Sequence, residues 1–575
     1  MTRVRRAARC AVYVTAILGV LSNAYAAEDA AAPSTTTGND VQELKRMVAD
    51  QQKQIEELRQ MILGQQKQIQ EAAIVPAAAV ETAPTAPVAA PLTAKPTAHV
   101  ASLTPILPPS IAAAPAPSVA VPPVVVPPPA PQAADQTSPL QIHIGDSTIT
   151  PIGFMDLTNT FRSPNAGTNL QTNFGSFPYN NTIPGRLTED KISVENSRLG
   201  FRVDATVKDW HVLGYFEGDF VGGYGNGANN GLVSSNSNLF RIRQYYVNLR
   251  KGTWEFLGGQ AWSFITPNRR GLSALPADLF YSQVVDVNYM NGLFWGRIPG
   301  FRVIAHPSDK VAWGLSVENS TQYFGGSGGG GIPTLPAAFA SNTAFISAEL
   351  DNSSANDRAT SNLIPDFISK LAIDPSSRLH FEIGGVTNTI KLWNPNTNQY
   401  FYKTGAGGTL VLHAEIVKNF RVLTNNFWSN GNGRYLFGTI PDFIVRADGS
   451  PSLIHSMSTV SGFEATVKNV QPYVYYGGVY GSRNVALDTN HSFIGYGYPG
   501  SPNSHNRSIQ EISAGWTHTL WRDGRYGALQ YMVQYAYFWR NPWYVAANQP
   551  KNAHMNTVWF NLRYVLPGTA PTIKY

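Results

Sequence analysis

The chain has 575 residues, of which only 14% are charged, with 50 glycines, 11% aromatic residues and a mean hydropathy of −0.16. That is too long for one ordinary compact domain, and too poor in charge and too rich in glycine and aromatics for an ordinary soluble enzyme. Its one cysteine, Cys10, falls in the leader described next, so the mature chain has neither a disulfide framework nor a thiolate metal site.

Residues 1–26 read as a secretory signal peptide. Arg3, Arg5, Arg6 and Arg9 form a basic start, Ala11 to Leu21 an apolar run, and Ala24-Tyr25-Ala26 a small-residue cleavage site. Cys10 precedes the apolar run, which argues against lipidation. The run is also shorter than the ~20 residues a spanning helix needs. No longer apolar run follows. A secreted chain without helical spans is either soluble or embedded as a closed barrel.

A flexible segment, 27–39, leads to a heptad stretch at 40–71. Val41, Val48, Ile55, Ile62 and Ile69 occupy a positions, and Leu44, Gln51, Leu58 and Gln65 occupy d. The unbroken 3-4 spacing predicts an α-helical coiled coil that oligomerises the chain. β-Branched a residues with leucine at d favour dimers, whereas the two glutamines at d leave the strand number open. Residues 72–139 are a Pro/Ala-rich low-complexity linker, a polyproline spacer whose small side chains bury too little surface to fold.

From residue 140 to 575 the pattern changes to period-two alternation. Leu199, Phe201, Val203, Ala205 and Val207 share one face, opposite Arg198, Arg202 and Asp204. Near the end, Val558, Phe560, Leu562 and Tyr564 oppose Trp559, Asn561 and Arg563. This suits a strand with lipid on one side and water on the other. The connections separate a barrel from a soluble sandwich. Short links at 208–210, 251–252, 307–310, 374–377, 418–419, 468–469 and 522–525 alternate with long ones. The long ones lie near 163–191, 222–238, 265–299, 320–362, 393–408, 429–453, 484–507 and 541–555. Seven short turns and eight long loops predict an all-β transmembrane barrel of about 16 antiparallel strands, with both ends in the periplasm.

Several strand motifs then carry a resemblance. Ser197-Arg198-Leu199-Gly200-Phe201, followed by Glu217-Gly218-Asp219-Phe220, looks like a strand pair of trimeric porins. Arg243-Gln244-Tyr245-Tyr246-Val247-Asn248-Leu249 is similar to another of their strands. Gly259-Gln260-Ala261-Trp262-Ser263-Phe264 and Ile364-Pro365-Asp366-Phe367 resemble the DcaP-like porins, trimers of 16-stranded barrels with an N-terminal coiled coil. The linker is longer than that family's pattern, and the chain continues past Leu566 to Tyr575. The resemblance implies passive uptake of small, often anionic solutes such as dicarboxylates, and a homotrimer in outer-membrane lipid. The coiled coil would then lie in the periplasm.

Ten basic and ten acidic residues precede residue 140, leaving 33 basic against 27 acidic residues in the barrel. By strand parity Arg198 and Arg202 face the lumen, as does Arg302 opposite Phe301, Val303 and Ala305. Glu217 and Asp219 stand beside them as solute contacts or as ion-pair partners. Arg243 is assigned to the pore by resemblance alone. Arg269 and Arg270 lie in the third long loop, which porins commonly fold inward. Guanidinium groups at these positions would grip carboxylates.

The alternative function is a structural tether, with the coiled coil reaching peptidoglycan. No HExxH, P-loop, GxSxG or CxxC occurs, so no catalytic residue, cofactor or nucleic-acid partner is expected. His491, His505 and Asp488 in one loop are read as solvated, not as a metal site.

Overall fold

The computed structural model describes residues 139–567 except 223–237, 327–328, 343–344 and 351–363. The signal peptide, the 27–39 segment, the coiled coil and the linker up to residue 138 lie outside the described residues, as does 568–575.

Sixteen long strands form one barrel among the described residues. They are β1 (Ser147–Ser163), β2 (Arg198–Val207), β3 (Trp210–Asp219), β4 (Arg241–Lys251), β5 (Trp254–Trp262), β6 (Arg297–Ser308), β7 (Val311–Glu318) and β8 (Asp366–Ser376). There follow β9 (Leu379–Asn394), β10 (Gln399–Val417), β11 (Phe420–Asn430), β12 (His455–Ala465), β13 (Val470–Gly481), β14 (Asn506–Asp523), β15 (Gly527–Pro542) and β16 (Ala553–Val565). Each pairs antiparallel with its chain neighbours. β16 returns to β1, from Phe154↔Val565 to Ser163↔Asn556, and closes the cylinder. Closure removes the free edges that an open sheet would expose.

The alternation fixes which face is which. Outward residues such as Phe201, Phe301, Trp428, Tyr535 and Phe560 are exposed, whereas inward ones such as Trp559 and Glu511 are buried. An apolar exterior around a polar, packed interior is the inside-out arrangement of a barrel solvated by lipid.

All seven short turns fall where the sequence places them, at one end of the barrel. At the other end run the loops L1 (164–197), L2 (220–240), L3 (263–296), L4 (319–365), L5 (395–398), L6 (431–454), L7 (482–505) and L8 (543–552).

L5 corrects the sequence reading. The expected long loop at 393–408 is a four-residue turn, and β9 and β10 stay paired up to Asn394↔Gln399 as a tall hairpin. The glycine-rich run Gly405-Ala406-Gly407-Gly408, read as loop, lies inside β10. A Cβ on Gly407 would stand 2.9 Å from the Phe427 ring and 3.0 Å from Val386. There glycine marks close packing rather than chain freedom. The hairpin's inward Ile390 and Leu392 pack with Phe324 of L4 and with Phe443 and Val445 of L6.

β4 holds a second irregularity. Glu217 pairs with Gln244 but Gly218 pairs with Ile242, so Arg243 is the extra residue of a β-bulge. Arg243 and Gln244 are both buried, while Tyr245 and Val247 point out. This explains why Arg243 points inward although it shares the parity of the outward Tyr245 and Val247.

The interior is not an empty tube. Phe174 and Phe177 of L1, Phe264, Val285 and Phe294 of L3, Leu436 and Ile440 of L6 and Tyr496 of L7 share one apolar cluster with inward strand residues.

Candidate functional site

L3 folds into the lumen and is held there by wall residues that meet its backbone in turn. Glu318 on β7 accepts the Phe264 N–H and the Ser263 hydroxyl, each at 2.6 Å. Glu382 on β9 accepts the Asn268 N–H at 2.8 Å, and Asp374 on β8 accepts that of Gly271 at 2.9 Å. Lys370 on β8 donates to the Thr266 carbonyl at 2.8 Å and lies 3.0 Å from Glu382. Further along, Tyr475 on β13, Gln534 on β15 and Glu511 on β14 accept N–H groups of Gln283, Val285 and Asn291. A loop has unpaired backbone groups wherever it leaves solvent, and these side chains satisfy them.

Two glycines let the returning limb lie flat on the wall. Gly292 has φ +88°, and a Cβ there would stand 2.5 Å from the Thr459 carbonyl. On the facing wall, a Cβ on Gly477 would collide with the Asn291 carbonyl oxygen. The apolar underside of L3, including Phe280, Met290 and Leu293, packs on Leu423, Val460, Tyr473 and Tyr475 of β11–β13. L3 therefore leans on the carboxylate-bearing half of the barrel.

The other half carries arginine. Arg243 is fully buried at the bulge. It donates to Glu217 at 2.8 Å, to Asp219 at 2.5 Å and to the Tyr289 hydroxyl of L3 at 2.7 Å. Arg241 shares Asp219 at 2.9 Å, and Arg198 lies 3.7 Å from Glu217. Arg563 on β16 pairs with Asp156 on β1 at 2.7 Å. Arg297, at the start of β6, is half-buried and sits 5.6 Å over Trp262 and 5.4 Å over Trp295. Among the described residues no carboxylate pairs with Arg297, and its Nη1 is buried without a hydrogen-bond partner. Around this cluster five guanidiniums, of Arg198, Arg241, Arg243, Arg297 and Arg563, face three carboxylates, of Glu217, Asp219 and Asp156.

The remaining residues singled out from sequence occupy distinct settings. Arg202 is partly exposed and pairs with Asp204 of its own strand at 2.6 Å. Arg302 is buried 3.6 Å from Glu318 and donates to the Trp262 carbonyl. Arg269 is buried against Glu464 on β12, at 2.7 and 2.6 Å. Its neighbour Arg270 is exposed.

Three arginines of the cluster, and the carboxylate of Asp156, were not singled out from sequence. Arg563 stood on the inward parity of its strand, so the signal was present. Arg241 lies just below the bulge. Arg297 fell within the expected loop 265–299, where parity had no strand to act on.

The loop histidine also differs from expectation. His505 is buried: Nδ1 accepts the Gly497 N–H at 3.1 Å and Nε2 meets the Ile332 carbonyl at 2.9 Å. Burial pushes its pKa down. Asp488 caps the Ala337 N–H at 2.9 Å. No group of three metal-ligating side chains occurs among the described residues.

A closed sixteen-stranded barrel, apolar outside, with its third loop folded in against a charged wall, defines a transmembrane β-barrel of the porin fold. The chain is similar to the outer-membrane channel DcaP of Acinetobacter baumannii, with a TM-score of 0.52 and 15% identity over 73% of this chain and 97% of that one. It also aligns with an anion-selective porin from Comamonas acidovorans, with a TM-score of 0.42 and 12% identity over 73% and 99% of the two chains. No protein-family model and no curated protein matches the sequence. At these identities the likeness is one of fold, and the closed sixteen-stranded barrel expected from the sequence is the barrel found.

Proposed function

We propose that the chain is an outer-membrane porin through which small hydrophilic solutes diffuse passively, with a preference for anions of the dicarboxylate type. The observation that carries this reading is the division of charge inside the barrel. Carboxylates of β7, β8, β9, β12 and β14 are engaged by L3 and its anchors, whereas the cluster built from β1–β4, β6 and β16 holds five guanidiniums against three carboxylates. A stretch of pore wall with more fixed cations than anions concentrates anions and repels cations.

The site residues divide by role in this proposal. Arg198, Arg202, Arg297 and Arg563 keep some solvent access and meet the solute, joined by Arg270 on L3. Arg243, Arg269 and Arg302 are buried in ion pairs, so they position the wall and the loop, with Glu217 and Asp219 as the partners of Arg243. The dense apolar packing of L1, L3, L6 and L7 fills part of the lumen and so narrows the passage.

The homotrimer, the periplasmic coiled coil and its reach to peptidoglycan belong to the same proposal. They rest on the heptads and the strand motifs. Purified full-length protein added to a planar lipid bilayer should give discrete conductance steps that favour chloride over potassium. Absence of steps would remove the porin reading, and a cation preference would remove the anion reading.

A further inference from the structure

The short turns carry a charge pattern that solute passage does not use. Lys208, Lys251 and Lys310 occupy or border the first three turns, and Arg378, Lys418, Lys468 and Arg525 the next four. Every one is exposed. With Arg250 and Arg522, the exposed charges of the seven turns are nine cations against three carboxylates, of Asp209, Asp309 and Asp523. The first hairpin of the chain adds Asp146 at the same end. Of the nine, Lys251 is paired, with Asp209 at 2.5 Å.

Turn geometry makes two of these lysines informative. Lys208 and Lys468 sit at φ 56° and 55°, in the left-handed region where a side chain with a Cβ is strained. The sister turns place Gly252 at φ 54° and Asn419 at φ 67°. These residues suit that backbone. A lysine held where the backbone favours glycine or asparagine points to a role for its charge.

The distribution identifies the partner. One cation stands at each turn, so the charge runs around the whole rim instead of forming a patch on one sector. The turns follow directly on outward apolar residues, among them Val207, Val417, Val467 and Trp521, which end the lipid-facing wall. A partner that surrounds the barrel at that height, on all sides, is the phospholipid headgroup layer. We propose that this rim binds anionic phospholipid headgroups of the periplasmic leaflet, anchoring and orienting the barrel. The inference rests on the membrane-spanning reading of the fold and is independent of which solute passes.

The test reconstitutes full-length protein in vesicles of brominated phosphatidylglycerol or brominated phosphatidylcholine. It reads quenching of tryptophan fluorescence, to which Trp254, Trp313 and Trp521, exposed near the rim, contribute. At low salt the relative association constant for phosphatidylglycerol over phosphatidylcholine should be at least about threefold. It should fall toward one at high salt, and toward one in a variant with the seven turn cations replaced by glutamine. Unchanged conductance of that variant would show that its barrel is intact. A ratio of one in the parent, or an undiminished ratio in the variant, overturns the proposal. Salt-sensitive sedimentation with purified peptidoglycan, alongside a lipid ratio of one, would overturn it in favour of the cell wall. A barrel that keeps the ratio but conducts nothing would uphold it while the porin reading fails.

Discussion

Arg269 of L3 reaches the opposite wall, where both oxygens of Glu464 hold its guanidinium at 2.7 and 2.6 Å, and the Tyr475 hydroxyl donates a further bond to Glu464 at 2.6 Å. The pair is buried and joins residues far apart in sequence, so it sets where the tip of the inward loop rests. Removing one partner strands the other charge. Arg269→Gln or Glu464→Gln should each destabilise the barrel by ~3–5 kcal/mol, and the double variant by less than the sum of the two. Denaturant unfolding of the purified protein measures all three, and strict additivity would show that the pair does not act as a unit.

The returning limb of L3 depends on the absence of a side chain at Gly477. Gly477→Val should push Asn291 off β13 and cost ~1–3 kcal/mol as overpacking. Single-channel recordings should show a changed conductance with more current noise. A variant with the parent's conductance and stability would mean that the wall yields there instead.

Asp442 of L6 joins L6 to L4, accepting the N–H groups of Arg434 at 2.9 Å and Tyr323 at 3.1 Å. Burial pushes its carboxyl up to about 8 from an ordinary value of 3.8. The folded state then holds this proton more tightly than the unfolded chain. The stabilisation it provides is fully present below the unfolded value and is lost as pH rises through about 8. Asp442→Asn removes the ionisation and keeps one of the two acceptor oxygens, at the cost of the other N–H bond. Its melting temperature should therefore lose less than the parent's when pH is raised from mildly acidic to mildly alkaline. Parallel pH profiles would count against this role.

Arg297 and Arg243 should separate selectivity from support. Arg297→Gln removes a guanidinium without a carboxylate partner, and the anion-to-cation permeability ratio should fall roughly twofold with folding intact. Arg243→Gln leaves Glu217 and Asp219 buried with less compensation and should act mainly on stability. Reversal potentials and melting curves, measured on both variants, distinguish the two effects.

The barrel itself was legible because lipid outside and polar groups inside force a strict two-residue period, and because turns and loops differ so much in length. Composition misled only at 393–408. Glycine there answers the close approach of Phe427 and Val386, which are remote in sequence. The site was legible in part. Parity brought Arg198, Arg202 and Arg302 inward, yet parity says nothing about partners, and so could not tell an available arginine from one engaged by Glu217 or Glu318. Arg243 lay hidden behind a bulge that resets the period. Arg297 lay within an expected loop, and the grip of Glu464 on Arg269 joins residues that no local pattern connects.

The most direct measurement is the reversal potential of the full-length protein in a planar bilayer under a potassium chloride gradient. Excess guanidinium along the wall predicts discrete channels with a chloride-preferring potential that weakens in Arg297→Gln. Absence of channels, or a potassium-preferring potential, would contradict it.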